Sequence, residues 1–427
     1  MIGSGQPSVP ARLRAGDIRG HAFTLDEPGE AWAVLTLSAP GTSWLRAQPA
    51  VVALTVDGRD RQEIILAAGA EPTTYQRFLG SLAPGTHRFQ LEIHGGLSAP
   101  SAQEVVVADI QTGSVKDTDL SALVWRHVPV IHYRALNGPC DSLVTDAPLL
   151  LFYRSRETGR TTSLEYHVIF SHEDAGTDPT GLLARWGHTV DIEWVFRVTV
   201  DDEARVIAEE YQGPEHATLG YRGQRTKGGH PVLQVATLNG MVTDRPACPY
   251  RTALAPVCAQ PDAEPREGVL HQFPWIYRVG ALEVLRQVPL EVPSSPVSPT
   301  AADLRSYLFL QWKRLRGPVA PLEASARVGH TWHRSAWGRA ALAFFQEADA
   351  ESTAVKMPAG TTEADVTGLA VRMLESPPQP LEVALVRAFF LDAAYLPRPS
   401  FIPPGVCRLN GERRKRVVWD RRPDRIS

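Results

Sequence analysis

The sequence predicts a mainly β, multi-domain protein, and three observations carry that reading. Short runs rich in Val, Ile and Leu recur along most of the chain, with turn signals such as Asp57-Gly58 and Pro84-Gly85 between them. Within "HRFQLEI", Phe89, Leu91 and Ile93 alternate with Arg88, Gln90 and Glu92, the period of a half-buried strand. The length of 427 residues exceeds what one typical core organises, so two or three domains are expected.

The first region, residues 1–115, contains "AWAVLTL", "AVVALTV", "QEIIL", "HRFQLEI" and "EVVVADI" with no helical pattern between them, which predicts an N-terminal β-sandwich. Its phrase "LAPGTHRFQLEI" resembles the last hairpin of Ig-like and carbohydrate-binding-module-like sandwiches. A polar stretch, "QTGSVKDTDLS" at 111–121, marks the boundary. A second β region, 122–290, follows with "HVPVIHY", "PLLLFYR", "LEYHVIF", "DIEWVFRVTV", "ARVIAEEY" and "HPVLQVATL", the fourth and fifth joined by a turn at Asp201–Glu203. "PLEVPSSPVSPT" (289–300) reads as an extended linker. In the region 301–400, "GLAVRML" and "LEVALVRAFFLDAAYL" read as strands, whereas Thr300–Asp303 opens either a helix or a strand through "LRSYLFLQWKRL". Residues 401–427 form a basic tail with a cluster at Arg413–Arg416, read as a solvated arm.

Hydrophobic residues at 43% and charged residues at 21% are globular values, and no apolar run approaches the roughly 18 residues of a membrane helix. The net charge of −3 gives no reason to expect a nucleic-acid partner. Four cysteines form no CxxC pair, which excludes zinc-knuckle and thioredoxin-type motifs; Cys248 and Cys258 are spaced either for a short disulfide loop or as separate thiols. The opening residues show no basic start followed by an apolar stretch. An extracellular or cell-surface location is the expectation, with a cytoplasmic one kept open.

The chemistry concentrates in "WGHTVDIEW" (186–194), which holds His188, Asp191 and Glu193. Strict strand parity puts Ile192, Trp194, Phe196, Val198 and Val200 on a core face, and Asp191 and Glu193 together on the other. Alternate residues on one strand face lie roughly 6.5–7 Å apart, within reach of one cation. Glu173 and Asp174 end the preceding strand, and His216 and His230 follow later. Oxygen ligands favour calcium, magnesium or manganese; a histidine tilts the set toward manganese or zinc, with zinc ranked last.

The ordered segments "YHVIFSHE" (166–173), "GHTVDIEW" (187–194), "PEHATLGY" (214–221) and "GGHPVLQVATLNG" (228–240) resemble the necrosis-inducing (NPP1-like, NLP) proteins and the Vps62-type family. The likeness covers about 125–260. It implies an NLP/Vps62-like β-sandwich with a divalent cation held by His188, Asp191, Glu193 and Glu173, and His216 as the histidine after the next strand. Asp174 and His230 are further candidates. The family's histidine and tryptophan of the H-D-W-E core are replaced here by Val190 and Ile192, and "LNGM" lacks the Vps62-type histidine.

Three functions follow. The first is a binding protein whose metal-dressed middle domain recognises a glycan or a lipid head group; G-x-S-x-G, Walker, GxGxxG and HExxH motifs are absent from the sequence. The second is a metal-dependent hydrolase using Glu193 or His216 for proton transfer, and the third a structural protein without a metal. Outside this site, His330, Trp332, His333 and Trp337 could form an aromatic sugar platform but read better as a packed segment, and His132 reads as a hydrogen-bonded core histidine.

Overall fold

The computed structural model describes residues 11–119, 121–138, 140–173, 178–259, 266–345, 352–375 and 379–421. The chain is mainly β and folds as two compact units, Met1–Ala175 with Val190–Cys258, and Gly176–Thr189 with Ala259–Ser427.

The first unit opens with eight strands: β1 (Ala11–Arg14), β2 (Ile18–Leu25), β3 (Gly29–Ser38), β4 (Val51–Val56), β5 (Asp60–Ile65), β6 (Thr73–Leu82), β7 (Gly85–Ile93) and β8 (Glu104–Lys116). They form two sheets, β1-β8-β3-β6 and β2-β7-β4-β5. Inward residues such as Leu35, Leu54, Phe89, Leu91 and Val107 are fully buried in one core, each contributing roughly 1.5–3 kcal/mol. The alternation read in "HRFQLEI" holds. The β4–β5 hairpin turns through Asp57 and Gly58 at φ 47 and 68, both in the left-handed region that such tight turns require. The polar stretch at 111–121 is not the boundary throughout, because β8 continues pairing with β3 as far as Lys116 opposite Gly29.

The middle sandwich follows with α1 (Ala122–Arg126), β9 (Val130–His132), β10 (Pro148–Thr158), β11 (Thr161–Phe170), β12 (Asp191–Asp201), β13 (Val206–Gly213), β14 (Ala217–Gly220), β15 (Val232–Val235), β16 (Val242–Thr243), β17 (Arg251–Thr252) and β18 (Pro256–Cys258). A six-stranded sheet, β14-β13-β12-β11-β10-β18, faces a four-stranded one, β16-β15-β9-β17. The two enclose Leu151, Tyr166, Val168, Phe170, Phe196 and Leu233. The β12–β13 turn is closed by Asp201, whose carboxylate accepts from the backbone N–H groups of Glu203 and Arg205.

Strict parity fails in β12. His167 of β11 stands opposite Trp194 and Tyr166 stands opposite Phe196, so Val195 is an extra, bulged residue. A bulge reverses the alternation across it. Val195, Phe196, Val198 and Val200 are all buried in the core, whereas Trp194 is half-buried on the opposite face with Arg197 stacked on its ring at 4.5 Å. Asp191 and Glu193, paired with the core residues Phe170 and Val168, therefore share the core-side face. The expectation that they project away from the apolar core is corrected by this one inserted residue; they remain together and opposite Trp194.

The second unit contains α2 (Pro179–Trp186), α3 (Val269–Gln272), α4 (Trp275–Gln287) and the strands β19 (Tyr307–Arg316), β20 (Leu322–Val328), β21 (Thr331–Arg334), β22 (Ser352–Lys356), β23 (Val366–Met373), β24 (Leu381–Phe389), β25 (Gly405–Leu409) and β26 (Lys415–Asp420). Sheets β22-β19-β24-β25 and β21-β20-β23-β26 enclose Trp312, Leu322, Phe344, Val371 and Leu385. The segment 289–300 is not a free spacer. The buried ammonium of Lys356 draws it in, with Nζ 2.5 Å from Glu291 and bonded to the carbonyls of Ser298 and Thr300, as a buried charge requires. Asp303 caps a single 3-10 turn, Leu304–Ser306, before the chain extends into β19. The basic tail is also no solvated arm: β25 pairs with β24 and β26 with β23, completing both sheets.

Candidate functional site

Asp191 and Glu193 begin β12, and the β13–β14 hairpin brings two more polar groups to Glu193. Gln212 Nε2 donates to Glu193 Oε2 at 2.8 Å and lies 2.6 Å from His216 Nδ1, which stands 4.0 Å from the same carboxylate oxygen. Gln212 is buried, whereas the His216 side chain is 61% exposed. The hairpin holds Glu215 and His216 at φ 61 and 57, two successive non-glycine residues in the left-handed region. Such strain costs of order 1–3 kcal/mol per residue and persists where surrounding structure enforces it. Here the β13–β14 pairing of Gln212 with Thr218 and Gly213 with Ala217 closes the loop. Asp191 is buried against Gly240, where an added Cβ would lie 2.7 Å from Asp191 Oδ2.

The remaining sequence candidates lie on other segments. Glu173, half-buried, lies three residues past the end of β11, and Asp174 lies outside the described residues. His188 is buried in the short segment after α2, which belongs to the second unit, while Asp191 and Glu193 belong to the first. Gly187, at φ 67, ends that helix in the manner typical of a helix C-terminus. His230 is committed elsewhere: its Nε2 sits 2.9 Å from Ser81 Oγ and 3.2 Å from Glu30. His132 bonds the Cys248 carbonyl at 2.6 Å, as a core histidine should, and burial lowers its pKa. Cys248 is buried, Cys258 exposed, and no disulfide joins them. Trp332 offers no open platform, since Arg327 and Lys415 lie over its ring at 5.3 and 4.8 Å.

Among the described residues, no group of three or more His, Cys, Asp or Glu side chains comes together to hold a metal ion. Asp191 and Glu193 offer part of a hard-cation shell, which takes about six to eight oxygens for calcium and six for magnesium. The rest would have to come from a ligand or water. Gln212 escaped the sequence reading, which looked for ionisable residues; its signal is its place four residues before His216 at the end of β13.

On the other face of the sheet, Glu165, His167, Arg197 and Trp194 form a second polar cluster. Glu165 lies 2.9 Å from His167 and 2.6 Å from Arg197. Burial alone would raise its pKa, but the bonds and charges of His167 and Arg197 prevail and hold it at about 2. His167 in turn stacks on Phe152 at 4.8 Å.

No protein-family model matches the sequence, nor does any curated protein. Solved structures match parts of it. NLPPya in complex with mannosamine matches at 11% identity and a TM-score of 0.24, over 33% of this chain and 75% of that one. The EclA C-terminal domain, a sugar-binding protein, matches at 15% identity and 0.20, over 26% and 82%. BtGH115A, a family GH115 4-O-methyl-α-glucuronidase with specificity for decorated arabinogalactans, matches at 10% identity and 0.21, over 27% of this chain and 17% of that enzyme's length. These scores assign neither a family nor an activity.

Proposed function

We propose that the protein is a non-catalytic binding protein whose middle sandwich recognises a hydroxyl-rich ligand, a glycan or a lipid head group, at the Glu193–Gln212–His216 corner. The observation that carries this reading is the hydrogen-bonded chain itself. One amide engages both the carboxylate and the imidazole, so the pair is fixed as a set of directional donors and acceptors. A general base, by contrast, must present its lone pair to the proton that it removes. The strained loop at Glu215 and His216 pre-positions the exposed imidazole, and pre-organisation lowers the entropy cost of binding a polar ligand.

A second reading, supported by the shared face of Asp191 and Glu193, adds a calcium, magnesium or manganese ion whose remaining positions are filled by ligand and water oxygens. Calorimetry with each ion, in the presence and absence of ligand, tests it. Ion uptake by wild type that Asp191→Asn abolishes is the expected result, and equal uptake by both overturns this version alone. The binding reading is tested with a glycan array and with liposomes bearing sugar head groups. His216→Ala and Gln212→Ala should each weaken the strongest interaction about tenfold, the scale of one charge-assisted hydrogen bond. Binding that both variants retain in full would remove this corner from the function.

A further inference from the structure

Within the first unit the two sandwiches meet along a seam. Arg251, Ala253 and Ala255 run beside β5 and β6: Phe78 N–H donates to the Ala253 carbonyl at 2.9 Å, and Gln62 bridges Phe78 and Ala253. Beside this seam lies a cavity of about 80 Å³, walled by β5, β6, Val130, the Thr226–His230 loop and the Arg251–Ala253 segment. At roughly 10–15 Å³ per water it holds about five to eight waters, the space of one sugar ring. Junctions between domains are a preferred place for such sites.

The walls are fixed. His230 is 1% exposed, its ring packs edge-on to Phe78 at 4.5 Å, and its Nε2 holds Ser81 Oγ at 2.9 Å. The loop approaches so closely that a Cβ on Gly228 would lie 2.6 Å from Ser81 Oγ. His230 Nδ1 is buried and has no hydrogen-bond partner among the described residues.

Charge selects the ligand. Arg61 is paired with Glu63 and Glu92, Arg251 stands 3.5 Å from Asp60, and His230 faces Glu30. The lining itself carries Arg61, Lys227 and Arg251 against the single carboxylate of Asp60, and the pairing of both arginines leaves no unpaired guanidinium to demand an anionic ligand. Yet Arg61 Nη2 and Arg251 Nη1 keep N–H groups that no other described residue uses, Asp60 and Ser81 supply acceptors, and Phe78, Leu82 and Val130 supply an apolar wall. A neutral ligand with hydroxyls around its rim and an apolar ring face meets all of these at once.

We propose that this cavity is a binding site for one neutral monosaccharide unit, separate from the Glu193 corner and independent of its reading. Saturation-transfer NMR and titration of the full chain with glucose, mannose, galactose and cyclohexanol test it. At least one neutral hexose should bind at roughly millimolar strength, with cyclohexanol about tenfold weaker. Asp60→Ala, a change at a 65% exposed side chain that leaves the core intact, should weaken hexose binding about fivefold, and should do so equally in a His216→Ala background. Absence of transfer from every neutral hexose overturns the proposal, as does equal binding by Asp60→Ala. Complete loss of hexose binding in His216→Ala also overturns it, by moving the sugar to the other site.

Discussion

Gly240 stands where Asp191 needs room. Its φ of 69 lies in the left-handed region, and a Cβ there would meet Asp191 Oδ2 and Phe170 Cε2, both at 2.7 Å. Gly240→Ala should therefore cost roughly 1–3 kcal/mol, read as a lower urea midpoint with an unchanged slope. Unaltered stability would show that the loop relaxes without disturbing the carboxylate. Glu165 makes the second residue-scale case, through pH. Its folded pKa of about 2 lies below the ordinary 4.5, so its contribution is fully present above pH 4.5 and is lost as pH falls toward 2. The shift corresponds to about 3 kcal/mol at most, for a side chain that is 22% exposed. Urea unfolding of wild type and Glu165→Gln should differ by up to that amount at pH 6 and converge only as pH falls below about 2. A difference that stays constant with pH would mean that the ion pairs with His167 and Arg197 are not its source.

At the scale of elements, most strands of the first sandwich were legible because each carries its own alternation and its own turn. Phe89, Leu91 and Ile93 needed no knowledge of their partners. The strand β12 was legible as a strand, but the face of its carboxylates was not. "DIEWVFRVTV" alternates tolerably from end to end, and only the register against β11 shows that Val195 is inserted. Helix α4 was missed although buried Ile276, Gly280 and Val284 repeat every four residues, because its β-branched and aromatic residues also suit strands. Deleting Val195 would remove the bulge. With Phe196–Val200 anchored in the core, Trp194 would still stand opposite His167, and Asp191 and Glu193 would stay on the core-side face opposite Phe170 and Val168. The variant should lose about 2 kcal/mol from the missing Val195 contacts while its folded state keeps ligand binding. Loss of binding by the folded variant would show that the bulge itself, and not only the face of those carboxylates, shapes the site.

For the whole molecule, the sequence suggested successive domains joined by a linker and ended by a tail, whereas the chain folds as two units, one of which also takes Gly176–Thr189 from the middle of the sequence. That assignment was hidden because α2 is only eight residues long and its partner β22 comes more than 160 residues later, where Thr353 Oγ1 donates to the Ala184 carbonyl at 2.7 Å. The tail was misread for a related reason: its arginines and lysine dominate its composition, while its structural part is a few apolar residues. Cys407 and Leu409 are buried in the second unit's core, with Val418 and Trp419 packed against it. A chain ending after Pro404 would lose those groups and leave Val383, Leu385 and Val371 at unpaired sheet edges. Each such exposed aliphatic side chain costs roughly 1.5–3 kcal/mol, and together they approach the 5–15 kcal/mol that typically holds a domain folded. Calorimetry of the truncated chain should therefore lack the second unit's transition. The indole N–H resonance of Trp312, fully buried in that core, should move to its unfolded position. A native Trp312 resonance in the truncated protein would mean that β25 and β26 only cover a sandwich that is already stable without them.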